Sequence, residues 1–323
     1  MRILGVLRQF EGGGYYRIRQ PLDELALHGH ETAYEMAKST VTAQGFDIIT
    51  GHLVGGRNGW WRRQRRHARL VYELDDNPFE VEPLNPAYSM YASADTQDSI
   101  RHCIEVADLV TCSTQPLAEE MAKINPNTLV LQNHIDESML KIERPKHDGK
   151  VVIGWAGSYS HYKDIPQCTY GWRRSIDWYP NKVESHMIGA DWRRMIKRPN
   201  NFRYTGWTEE TTEYYKTIDF DIGLAPLEPS LFARCKSHIK ALEYAALGIP
   251  CIASDVEPYR QFVIHGVTGY LCKRAHDWVY YLRDLISDDA MREEMGAQAR
   301  KWASQWTIQE HWVDWEQAYK SVL

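Results

Sequence analysis

The chain has 323 residues, 43% of them hydrophobic and 25% charged, a length that predicts two domains and a composition that excludes disorder, collagen-like repeats and low complexity. Its formal net charge of −5, from 38 basic and 43 acidic side chains, excludes a protein that coats nucleic acid by bulk electrostatics. The six cysteines are far apart and form no Cys-x-x-Cys pair, so neither a zinc ribbon nor a disulfide framework is indicated and reduced thiols in a cytoplasm are expected.

The opening MRILGVLRQFEGGG is too short and interrupted for a signal peptide, and no apolar run approaches the roughly 18 residues of a membrane span. Short β-rich runs then alternate with helical patterns, the mark of βαβ units and a parallel sheet. Strands are predicted at Ile3–Leu7, Asp47–Thr50, Leu70–Leu74, Leu109–Cys112 and Thr128–Leu131, with helices over Tyr15–Leu27 and Asp98–Ala107 and another opened by Thr114 as N-cap. The text turns polar from His134 to Lys150, with Pro145, Asp148 and Gly149, which predicts a domain boundary. Alternation resumes with strands at Val151–Trp155, Val183–Ile188, Asn201–Tyr204, Phe220–Leu224 and Pro250–Ala253, the last preceded by a helix over Lys236–Leu247. After Ala275 the pattern is helical, ending in an amphipathic run, Thr307–Val322, long enough to cross back and brace the first domain. The expected fold is α/β: two Rossmann-like, doubly wound domains, 1–145 and 146–306, facing a cleft, with 307–323 as the returning helix.

Charge is unevenly spread. From Arg57 to Arg69 stand six arginines, no acid and the pair Trp60-Trp61, and Glu73, Asp75, Asp76, Glu80 and Glu82 follow. Arg62, Arg63, Arg65 and Arg66 can grip phosphates of a nucleic-acid acceptor or anionic lipid with both tryptophans at the interface. The other reading is a surface helix with its tryptophans turned inward and its arginines paired to those acids.

On an ideal helix Lys236, Lys240 and Glu243 share one face, within about 40° at about 100° per residue. Two cations beside free backbone N–H groups suit a diphosphate, and a carboxylate two turns on suits a ribose hydroxyl pair. A solvated face with i, i+4 charge pairs has the same spacing. Asp75 and Asp76 end a strand, where paired carboxylates orient or deprotonate an acceptor hydroxyl, or simply balance the arginines. His52, after another strand, is a third candidate, or a hydrogen-bonded loop histidine. Gly12, Gly13 and Gly14 follow the first strand, as a flexible loop or a phosphate cradle. Asp219-Phe220-Asp221 has the D-x-D spacing of a metal-binding pair, but at the start of a strand it faces away from the cleft and reads as capping.

The stretch Lys236, Ser237, Lys240, Glu243, Tyr244, Ala246, Gly248, Pro250, Ile252, Ala253, Ser254, Asp255, Gly266 and Gly269 resembles the donor-binding block of GT-B glycosyltransferases of the family four type. Gly154, Trp155, Ala156, Gly157 and Ser158, with His161 and Asp164 after them, resemble the same family's turn beside the donor diphosphate. The resemblance implies a glycosyltransferase using a nucleotide diphosphate sugar as co-substrate, with retention and with no metal or other cofactor. It assigns the diphosphate to Gly13, Gly14, Gly157, Ser158, His161, Lys236, Ser237 and Lys240, the ribose to Glu243, and the nucleobase to Trp207, which otherwise packs on a helix. Lys163 is a further phosphate candidate or a solvated loop lysine. The family often carries a glutamate eight residues before the ribose glutamate, and Cys235 stands there, so the donor sugar is recognised differently or Glu228 reaches in. The acceptor is open: glycan, lipid-linked molecule, protein or DNA. A DNA-base glycosyltransferase, a sugar-nucleotide epimerase and a non-catalytic binding protein are the competing readings.

Overall fold

A computed structural model of the chain describes residues 1–55, 59–86, 88–145, 147, 149–197 and 202–323. Arg57 and Asn58 of the basic segment, Lys146 and Asp148 of the expected boundary, and Asn201 lie outside the described residues. The chain divides into two compact units, the first made of Met1–Asp136, Arg234–Ser237 and Thr307–Leu323, the second of Glu137–Ala233 and His238–Trp306. The first break follows Asp136, inside the polar stretch His134–Lys150 but ahead of the expected division at 145, because the residues after it are bonded into the second unit. Arg144 donates to the carbonyls of Leu247 (2.7 Å), Gly248 (3.1 Å) and Phe220, and the Leu140 carbonyl accepts from Arg300.

The first unit holds a parallel sheet of β1 (Arg2–Leu7), β2 (Glu31–Met36), β3 (Ile48–His52), β4 (Arg69–Leu74), β5 (Leu109–Cys112) and β6 (Thr128–Val130), in the order β2-β1-β3-β4-β5-β6. The inner strands are buried along nearly their whole length, as strands covered on both faces must be. β2 had no counterpart in the sequence reading: ETAYEM is half-buried at alternate positions and has no apolar run. The direction of winding reverses between β1 and β3, so their carboxyl ends open the crevice in which doubly wound sheets bind ligands.

Tyr15–Arg19 is a π-helical turn running into the α-helix Gln20–Leu27, and Arg17 lies fully buried inside it. Its guanidinium donates to Glu73 (2.8 Å), to Asn133 Oδ1 (3.0 Å) and to the Leu131 carbonyl, and sits over the Trp315 ring at 4.7 Å. Glu73 is buried as completely and also accepts from Tyr319 (3.3 Å). Trp315 and Tyr319 belong to the helix Ile308–Lys320, which packs into the first unit's core with Ile3, Ile18, Leu22 and Val71.

The second unit's sheet comprises β7 (Val151–Gly157), β8 (Val183–Gly189), β9 (Phe202–Thr205), β10 (Ile222–Ala225), β11 (Cys251–Ser254) and β12 (Gly269–Cys272), all parallel in the order β12-β11-β10-β7-β8-β9. This is the Rossmann order, with its switch point between β7 and β10. Trp155, Trp172, Met187, Leu224, Ile252 and Leu282 form part of its core. Three elements differ from expectation, the first being β12, which no expected strand covers. β10 begins at Ile222, and the helix expected from Lys236 begins at Ile239, so Lys236 and Ser237 precede it. No helix among the described residues is long and apolar enough to cross a membrane.

Arg17→Met removes one partner of a fully buried pair and should cost about 3–5 kcal/mol in urea denaturation; a loss below about 1 kcal/mol would mean that Glu73 finds another partner. A second prediction concerns His238, stacked on Phe262 (4.9 Å, 10°) with its ring edge near Trp306. Burial pushes its imidazole down from 6.5 to about 4. The unfolded chain therefore binds this proton before the folded chain does, and stability is unaffected above pH 6.5 but falls towards pH 4, by about 3 kcal/mol in all. Between pH 7 and 5, taken as roughly the accessible part of that window, His238→Phe should lack this share of the slope in urea midpoints. Equal slopes in the two proteins would contradict it.

Candidate functional site

The carboxyl edge of the first sheet brings together the loop after β1, the end of β3 and the turn after β4. His52 is the last residue of β3, buried, and its Nε2 lies 2.7 Å from Asp75 Oδ1. Its Nδ1 is buried with no partner among the described residues. Gly13 lies directly against this pair: a Cβ there would fall 2.2 Å from Asp75 Oδ2 and 2.6 Å from His52 Cε1, so any side chain would push the pair apart. Gly14 opens the π-helical turn as its N-cap.

Asp76 takes a different partner. Its carboxylate accepts from Lys236 Nζ at 3.0 and 3.2 Å, and the neighbouring Ser237 Oγ accepts from Asn133 (3.1 Å). Thr114 donates to the Cys235 carbonyl at 2.8 Å, so the Arg234–Ser237 segment is fastened at three successive residues. Lys236 therefore does not share a helix face with Lys240 and Glu243, contrary to the ideal-helix expectation. Burial pushes the Asp75 carboxyl up, but the His52 partner, followed by Arg17 and Lys236, carries it down to about 2. Burial raises Asp76, and the Asp75 charge beside it adds to the effect against the pull of Lys236. The two carboxyl groups are thus pushed apart in acidity, as adjacent acids with different partners should be.

The second unit presents its residues at the carboxyl ends of β7, β8 and β9 and along the helix Ile239–Ala246. Lys240 and Glu243 are both buried there. Lys240 Nζ donates to the Ala156 carbonyl and lies 5.2 Å from the centroid of the Trp155 ring. Glu243 accepts from Tyr214 Oη (3.1 Å), a partner that no sequence motif marked. Gly157 ends β7, and a Cβ on it would meet Trp155 at 2.7 Å and Lys240 Nζ at 3.0 Å. Ser158 Oγ is 2.8 Å from Ser160 Oγ, and His161 Nδ1 is 2.7 Å from Asp164 Oδ2. Trp207 follows β9 half-exposed, so it is not buried against a helix. Glu228 stands in the loop after β10, half-buried. Its carboxylate lies 3.8 Å from Lys163, while Cys235 is buried with its thiol pushed up to about 11 by that burial.

Three further expectations are resolved by packing. Asp219 accepts from His186 (2.6 Å) and Arg203 (2.8 Å), and Asp221 accepts from the Val152 N–H (2.8 Å), so the D-x-D pair holds the amino end of its sheet together. Trp60 and Trp61 are buried, with Trp60 Nε1 donating to the Val41 carbonyl (2.8 Å), which removes both indoles from a membrane or nucleic-acid surface. Arg62, Arg63, Arg65 and Arg66 are exposed. Arg65 pairs with Asp108 at 2.6 Å, not with the acids that follow it in sequence.

Residues 239–302 match the family model of glycosyl transferases group 1. No curated protein sequence matches the chain. Among solved structures the chain is similar to HepE from Anabaena in complex with UDP, at 14% identity over 100% of both chains with a TM-score of 0.70. It is similar to sucrose-phosphate synthase from Thermosynechococcus elongatus, at 14% identity over 100% of this chain and 99% of that one, with a TM-score of 0.70. The catalytic domain of starch synthase IV from Arabidopsis thaliana, bound to ADP and acarbose, aligns at 9% identity over 100% and 99% with a TM-score of 0.67. Two doubly wound parallel sheets and this shared architecture give the chain the GT-B fold, within which residues 239–302 are the segment matched by glycosyl transferases group 1.

Proposed function

We propose that the chain transfers a glycosyl group from a nucleoside diphosphate sugar, with retention of anomeric configuration and with lysines and backbone N–H groups, in place of a metal, answering the diphosphate charge. The observation that carries this reading is the pair Lys240 and Glu243, both buried on one helix at the carboxyl edge of a Rossmann sheet, inside the segment matched by the group 1 model. Lys240, Gly157 and Ser158 hold the diphosphate, His161 is oriented towards it by Asp164, Glu243 takes the ribose and Trp207 the base. Uridine and adenosine diphosphates in structural relatives support a nucleoside diphosphate as the leaving group.

In the reaction the bond from the anomeric carbon to the diphosphate oxygen breaks, and one from that carbon to the acceptor oxygen forms on the same face. The acceptor proton passes to the departing phosphate oxygen, so charge is conserved. Positive groups near that oxygen stabilise the charge it gains as the bond lengthens. His52 and Asp75 orient the acceptor hydroxyl, with the acidic Asp75 holding the imidazole. Arg62, Arg63 and Arg66 are exposed and suit contact with a phosphate-bearing surface. Six buried, unpaired cysteines support a reducing, cytoplasmic setting.

Lys240→Met and Glu243→Gln should each weaken UDP binding about tenfold or more, measured by calorimetry, with little change in thermal midpoint. Transfer from a panel of labelled nucleotide sugars that survives both substitutions would overturn the donor assignment, and isomerisation of the sugar would favour an epimerase. His52→Gln and Asp75→Asn should lower turnover by about 10²- to 10⁴-fold at unchanged UDP affinity. Loss of UDP binding in either would place these residues at the donor instead.

A further inference from the structure

The first unit has a cavity of about 550 Å³ lined in part by Leu53, the residue after His52, and the reaction as proposed does not use it. Its wall is assembled from the segments that follow β1, β2 and β3: Arg8 after the first, Lys38 after the second and Leu53 after the third. Met90, Thr96 and Ile100 contribute from the helices Tyr88–Tyr91 and Ala94–Glu105. These are loops at the carboxyl edge of a doubly wound sheet, where such sheets bind ligands.

Its charge is one-sided. Arg8 and Lys38 line it, and among the described residues no aspartate or glutamate does. Among the described residues neither cation has a carboxylate partner, Arg8 lying over the Tyr91 ring at 5.9 Å. Both are exposed, and a phosphate of charge about −1.5 to −2 entering between them balances both. The remaining wall is mixed: Ser39, Thr96 and Ser99 bring hydroxyls and Leu53, Met90 and Ile100 apolar side chains, Leu53 and Ile100 buried and Met90 half-exposed. A bare phosphate leaves most of this volume unfilled, since drug-sized ligands occupy roughly 300–1,000 Å³. Leu53 has a φ of +49°, a left-handed conformation that a branched side chain adopts at a cost and that is concentrated at ligand sites. It immediately follows His52.

We propose that this cavity is the acceptor subsite and that the acceptor is a phosphate-bearing amphiphile, its phosphate on Arg8 and Lys38 and its apolar part on Leu53, Met90 and Ile100. The proposal rests on the reading of the chain as a transferase whose acceptor approaches His52 and Asp75. It is tested by titrating octyl phosphate, octyl glucoside, a hexose phosphate and inorganic phosphate, all below micelle-forming concentrations, into the full chain and into an Arg8→Gln, Lys38→Gln double variant. UDP is titrated in parallel. Octyl phosphate should bind about tenfold or more tighter than each of the other three, and the double variant should lose that advantage while binding UDP normally. Equal binding of octyl glucoside would overturn the anionic half of the proposal, and equal binding of hexose phosphate or inorganic phosphate the apolar half. Undiminished octyl phosphate binding by the double variant would overturn the site itself. Absence of UDP binding beside normal octyl phosphate binding would sink the donor reading while supporting the cavity.

Discussion

The first unit is organised around one buried ion pair, Arg17 with Glu73, both without solvent exposure. Burying such charges is costly unless their remaining polar atoms find partners, and, the guanidinium Nε apart, those partners come from distant segments of the unit. The guanidinium takes the chain leaving β6 through Leu131 and Asn133, and the carboxylate takes Tyr319 from the C-terminal helix. Asn133 in turn holds Ser237, next to the lysine paired with Asp76. A π-helical turn has one more residue per turn than an α-helix, and it is this turn that carries Arg17 directly after the three glycines. The loop that presses on His52 and Asp75 is therefore anchored at its exit by the same network that supports β4, the strand from which Asp75 and Asp76 emerge.

Inner strands were legible in the sequence because burial on both faces demands continuous apolar runs. Of the four edge strands, β6 and β9 were legible too, but β2 and β12 were not. β2 and β12 carry partly exposed residues and are stabilised by one neighbour each, so their sequences need no strong signature. The same contrast runs through the candidate site. Lys240 and Glu243 were found by helical spacing, which the backbone obeys. Lys236 was misplaced because 236–238 have helix-compatible text, yet Asp76 and Asn133 hold Lys236 and Ser237 through side chains distant in sequence. Tertiary contacts overrode local propensity there. For Trp60 and Trp61 the composition suited either a surface patch or a core, and only the Val41 carbonyl and the apolar surroundings of β3 decide between them.

The two lysines illustrate how differently a cation can be prepared for a ligand. Lys240 donates to a backbone carbonyl and lies against an indole face, contacts that fix its position before any ligand arrives and so reduce the ordering that binding requires. Lys236 is held by a carboxylate, so an incoming phosphate gains only the difference between two ion pairs, and Asp76 is left to find another counter-charge or a proton. Burial and the adjacent Asp75 raise the Asp76 carboxyl against the pull of Lys236, while His52 holds Asp75 low. Two lysines four residues apart are thus held in different ways, one against a carbonyl and an indole face and the other by a carboxylate from the turn after β4.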